Sequence, residues 1–133
     1  MPDGTSGHAA ALWVGLHLLL LLTLSVLVVR QRRVHRVALG DGGTPALAQA
    51  IRAFGNATEY IPSGLVALTV MAVLNVHPAL VHIAGLSLFL GRALHAVGLS
   101  RSSEATPLRA ASMLLTWLAY VFAAVTLLVY AIA

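Results

Sequence analysis

The chain has 133 residues, 59% of them hydrophobic and only 9% charged. Soluble domains carry about 25% charged residues, so this balance excludes a water-soluble globular domain and leaves one compact integral membrane unit. Eight arginines and four acids give a net charge of +4. No base-stacking aromatics lie between the arginines, so no nucleic acid is expected as partner, and the absence of cysteine excludes disulfides, a thiolate nucleophile and sulfur-ligated metal.

Met1 to Gly7 is small and polar and reads as a short frayed tail. Ala9 to Val29 are about 21 nearly uninterrupted apolar positions, enough to cross roughly 30 Å of hydrocarbon. The basic residues follow this run instead of preceding it, which favours an uncleaved first helix, over about 9–36, rather than a signal peptide. Glycines in GDGGTP (40–45) end it, and Thr44-Pro45 supplies an N-cap and first-turn proline for a second helix over about 45–75. Asn75-Val76-His77-Pro78 reads as a tight turn into a third helix, about 78–99. After the polar run 100–106, Thr106-Pro107 repeats the same start for a fourth, about 107–132. An all-α, up-down four-helix bundle of one transmembrane domain, 1–133, follows from these short connections.

The first loop carries Arg30, Arg32, Arg33 and Arg36; the third carries Arg101, with Arg109 just inside the fourth helix. The positive-inside rule therefore places both loops in the cytoplasm and both termini outside. At that depth Arg52 sits at the inner headgroup level and Glu59 about one turn deeper. Arg52, Asn56 and Glu59 (i, i+4, i+7) share a helix face with Tyr60 beside them, and Arg92 approaches from helix three. Charged groups inside a membrane helix cost about 2.5–3.5 kcal/mol each at its centre, so they mark a functional site by default. The cluster suits a small anionic or zwitterionic ligand, with arginine forks on carboxylates and Glu59 on an amine. Mutual neutralisation of Arg52 and Glu59, or pairing with Arg92, is the structural alternative.

Minor signals are weaker. His77 and His82 lack a partner at i+3 or i+4, so no metal site is expected. His95, one turn after Arg92, serves either hydrogen bonding or packing. Trp13, Trp117 and Tyr130 read as packing or interfacial anchors. Gly85 and Gly91 permit close helix contact, and Pro62 is expected to kink helix two and free a carbonyl near Thr58.

The spacing R-x-x-x-N-x-x-E-Y-x-P, as Arg52, Asn56, Glu59, Tyr60 and Pro62, resembles the helix-two signature of the membrane-associated proteins in eicosanoid and glutathione metabolism. These include the microsomal glutathione transferases and the leukotriene and prostaglandin E synthases. The likeness covers nearly the whole chain, and GDGG, FLGRALHAVGLS and LLTWL are similar to the short bacterial branch. The resemblance implies a homotrimer in a bacterial inner membrane, in contact with membrane lipid, that binds glutathione between subunits near the cytoplasmic face. It implies glutathione contacts from Arg52, Asn56, Glu59 and Tyr60, from Arg30 or Arg33 at the end of helix one, and from Arg92. His95 and Leu99 stand where the eukaryotic enzymes have tyrosines. An arginine near the start of helix four would stabilise the thiolate; Thr106 aligns there, flanked by Arg101 and Arg109, and Arg109 is taken for the role. A lone thiol of pKa about 8.5 is only a few per cent ionised at neutral pH, which is why a cation is needed.

Three functions remain in play: a glutathione transferase or peroxidase acting on a lipophilic electrophile, a non-catalytic glutathione or anion binder, and a small four-helix transporter. The absence of a carboxylate from Ala9 to Val29 and the excess of arginine around Glu59 disfavour cation export.

Overall fold

The computed structural model describes residues 5–102 and 104–132. Four helices follow in order, α1 (Thr5–His35), α2 (Pro45–Val73), α3 (Pro78–Arg101) and α4 (Pro107–Ile132), and no strand occurs among the described residues. Each of the three prolines read as a helix start is the first residue of its helix. Thr106 Oγ1 accepts from the Arg109 amide at 3.3 Å, whereas Thr44 adopts the extended cap conformation with no side-chain bond. His77 caps α3 instead, its Nδ1 accepting from Ala79 N at 3.3 Å. Such caps answer amides that a helix start leaves without partners.

Three boundaries differ by two residues or more from the sequence expectation, one being the end of α2, at Val73 rather than near 75. The start of α1 lies at Thr5, because Ser6 is buried and donates its hydroxyl to the Val76 carbonyl at 2.7 Å. This fastens the described part of the expected tail to the α2–α3 turn. At the other end of the bundle α3 continues through Arg101, since no residue before Ser102 breaks it. In the first loop Gly40, Gly42 and Gly43 all have positive φ, a region glycine enters without steric cost. Arg32 reaches across this loop to the Gly40 carbonyl at 2.8 Å, so it clamps the turn.

Helix α4 packs on α3 and on α2 and makes no contact with α1 among the described residues. The half of the bundle nearer the α2–α3 turn is an apolar core around Trp13, Leu68, Met71, Val76 and Val81. Toward the α1–α2 and α3–α4 loops, Leu24, Ala53, Ala57, Ile61, Ala96 and Leu99 form a second apolar cluster among α1, α2 and α3. Lipid tails are as apolar as leucine, so close packing rather than the hydrophobic effect holds such helices together. Gly85 shows how: a Cβ there would lie 2.2 Å from the Trp13 ring, which occupies the missing volume.

Three helices, α1, α3 and α4, are long and apolar enough to cross a membrane. Helix α2 is long enough but falls short in hydropathy, because Arg52, Asn56, Glu59 and their neighbours dilute its apolar residues.

Candidate functional site

The half of the α2–α3–α4 interface nearer the α3–α4 loop is polar, and it is arranged in layers. Nearest the α1–α2 and α3–α4 loops, a cavity of about 320 Å³ is lined by Gln49 and Arg52 of α2, Leu99 at the end of α3, Ser102, and Arg109 of α4. Arg109 stands there because its helix begins two residues earlier and its guanidinium is braced by Nη1 donating to the Glu104 carbonyl at 2.7 Å.

One turn deeper, His95 and Ser112 meet. The Ser112 hydroxyl gives its proton to the Arg109 carbonyl at 2.9 Å, so His95 Nδ1, 3.1 Å from Ser112 Oγ, acts as donor in that contact.

Deeper still lies Arg92, 1% exposed. Its Nε donates to Thr116 Oγ1 at 3.0 Å, Nη1 to Asn56 Oδ1 at 2.8 Å, and Nη2 to Met113 Sδ at 3.0 Å. The guanidinium carbon stands 4.7 Å from the centroid of the Tyr60 ring, within cation–π range. Helix α3 approaches α4 closely enough for this because position 91 is glycine; a Cβ there would meet Thr116 Oγ1 at 2.5 Å. Below the arginine, Tyr120 donates to the Tyr60 carbonyl and its hydroxyl is 2.6 Å from Ser63 Oγ. Helix α2 runs unbroken through Pro62, and the Tyr60 carbonyl, two residues from Thr58, gains side-chain donors from Ser63 and Tyr120. Beyond the Tyr120–Ser63 pair opens an apolar cleft of about 370 Å³ between α2, α3 and α4.

The structure thus divides the expected cluster into two levels. Arg52 and Glu59 pair with each other at 3.7 Å with side chains 66% and 54% exposed, on the outer face of α2. Asn56 and Tyr60 turn inward onto Arg92. His95 lies between Arg92 and the cavity. Arg30 and Arg33 are exposed on the last turns of α1, Arg101 is exposed at the end of α3, and none of the three lines the cavity. The partners Ser112, Thr116, Met113 and Tyr120, and the cavity residues Gln49 and Ser102, lay outside the sequence argument. For α4 a signal was present: Arg109, Ser112, Thr116 and Tyr120 (i, i+3, i+7, i+11) form a polar stripe on an otherwise apolar helix.

The MAPEG family model matches residues 10–129, nearly the whole chain. The chain belongs to the MAPEG family. This family includes glutathione transferases, and its members are helical membrane proteins. Among curated relatives, the inner membrane protein YecN of Escherichia coli K12 is 45% identical over 89 residues, covering 67% of this chain and 68% of YecN. YecN of Escherichia coli O6:H1 matches to the same extent. The family match agrees with the resemblance carried by Arg52, Asn56, Glu59, Tyr60 and Pro62, and the YecN name describes a location and no reaction.

Proposed function

We propose that this MAPEG protein binds glutathione in the cytoplasmic cavity and activates its thiol for attack on a lipophilic electrophile drawn from the bilayer. The observation that carries the reading is the cavity itself, with two guanidiniums, Arg52 and Arg109, beside the amide of Gln49 and the hydroxyl of Ser102. Glutathione offers two carboxylates, an ammonium and two peptide groups. Arginine forks suit the carboxylates, and Glu59, only loosely held by Arg52, suits the ammonium. An exposed ion pair is worth about 0–1 kcal/mol, so its partners reorganise around a ligand at little cost. Placing the thiol at the membrane surface lets a polar co-substrate meet an apolar one, and holding both in place removes much of the entropic barrier to reaction.

Orientation and assembly belong to the same reading. Loops 1–2 and 3–4 face the cytoplasm of a bacterial inner membrane, by their arginines. The subunits assemble as a homotrimer around α2, whose outward face carries Arg52, Glu59, Ser63 and Thr69, all exposed in a single chain. Polar groups at bilayer depth avoid lipid, and a neighbouring subunit covers them. Arg30 and Arg33 then have a route to the ligand only from an adjacent copy.

Isothermal titration of the detergent-solubilised protein with glutathione tests the binding claim. Saturable binding is expected, weakened at least tenfold by Arg52→Ala and by Glu59→Gln, the loss expected for a charged hydrogen bond of about 1.5–3 kcal/mol. Unchanged affinity in both variants contradicts the assignment.

A further inference from the structure

Arg92 is almost completely buried, and every group it meets is neutral: an amide oxygen, a hydroxyl, a thioether and a phenol ring. The ion pair formed among the described residues, Arg52–Glu59, lies elsewhere. A buried cation without a counter-charge is costly, and packing alone does not require one. Its three hydrogen bonds are also unequal. Asn56 Oδ1 and Thr116 Oγ1 are good acceptors, but a thioether sulfur is a weak one. Met113 is only half-buried while Asn56 and Thr116 are buried, so the weakest partner is also the least enclosed. Met113 stands one turn beyond the cavity residue Arg109 on α4 and touches Arg92. Its side chain has three rotatable bonds and moves readily.

We infer that Arg92, and not the arginines at the start of α4, is the cation that holds the ligand sulfur as thiolate, with Met113 Sδ occupying the place that sulfur takes. This rests on the glutathione reading above and assigns a division of labour within it. Arg52 and Arg109 hold the carboxylates at the cavity, and the cysteinyl side chain reaches past the His95–Ser112 layer, displacing Met113 from Nη2. The S–H bond breaks with its electron pair left on sulfur, and the proton passes to water at the cavity mouth. Asn56 and Thr116 keep the guanidinium plane fixed, so the remaining N–H donors face the sulfur without reorganisation. The Tyr60 ring over one face keeps water away. The sulfur is then poised beside the Tyr120–Ser63 hydroxyls, where the apolar cleft begins.

The test is an ultraviolet pH titration of the thiolate band of glutathione bound at saturation, which separates ionisation from affinity. An opposite charge within about 4–6 Å lowers such a pKa by about 1–3 units. Arg92→Gln is therefore expected to cut the ionised fraction, at a pH below the midpoint, about tenfold or more. Met113→Leu, which keeps volume but removes the competing sulfur, is expected to raise it about twofold, the scale of one weak hydrogen bond. If Arg92→Gln does not fold, Met113→Leu decides alone: an unchanged or smaller thiolate fraction overturns the inference. If both variants bind glutathione and ionise it as the parent does, the inference fails and the binding reading stands. If the parent binds no glutathione, both fall.

Discussion

At the scale of single residues, the account turns on how a buried guanidinium is kept. Thr116 does two things at once, accepting from Arg92 and donating to the Ser112 carbonyl at 3.0 Å. Thr116→Val keeps the shape and deletes the acceptor, leaving Arg92 Nε–H without a bond. A lost hydrogen bond to a charged group costs about 1.5–3 kcal/mol, so a clear drop in the thermal midpoint is expected in detergent. Thr23 is the control, since its hydroxyl is exposed and bonds only within its own helix, to Leu19 O; Thr23→Val is expected to stay within about 0.5 kcal/mol of the parent. Equal effects from the two substitutions would mean that Thr116 carries no such load. Arg52, Glu59 and Arg92 were legible in the sequence because ionic groups in an apolar chain need a reason, and Asn56 because it shares a helix face with two of them. Met113 and Ser112 were not, because a thioether or hydroxyl on an apolar helix gains meaning only from what faces it across the interface.

Among the elements, α3 acts as the hub. It packs on all three other helices, and it does so through small residues. Gly85 admits the Trp13 ring, which is itself held by Nε1 donating to His82 Nδ1 at 3.0 Å. The Cβ of Gly85→Ala would overlap the fixed ring atoms rather than a flexible tip, and overpacking of this kind costs about 1–3 kcal/mol. A lowered thermal midpoint is expected, with glutathione affinity retained because Trp13 lies in the half of the bundle away from the cavity; a parent-like midpoint would show that α1 and α3 separate freely. Helix starts were readable here because proline restricts where a helix can begin, and Pro45, Pro78 and Pro107 each open one. The beginning of α1 and the end of α3 were not. Ser6 joins its helix because of a carbonyl seventy residues away, a contact no local pattern contains.

For the whole molecule, the exposed face of α2 is the feature a single chain leaves unexplained. Val66 lies on that face, 63% exposed, while Leu118 of α4 is 56% exposed on another. Because the chain has no cysteine, a single introduced thiol reports cleanly on contact between copies. Val66→Cys is expected to form a disulfide-linked dimer on mild oxidation in membranes, and Leu118→Cys is expected to remain monomeric on a denaturing gel. The reverse result would place α4, and not α2, between subunits. Bundle class and helix number could be read from composition and proline punctuation; the layering of the α2–α3–α4 interface could not, since the order in which helices pack is decided by contacts between them.

The claim that glutathione occupies the cavity lined by Arg52 and Arg109 is tested most directly by hydrogen–deuterium exchange of the protein in lipid nanodiscs, with and without glutathione. Slower exchange is expected over 44–52 and 104–109, where Gln49, Arg52 and Arg109 line the cavity, and no change is expected at the opposite end of the bundle over 74–78. Protection confined to 74–78, or none anywhere at saturating glutathione, would contradict the account.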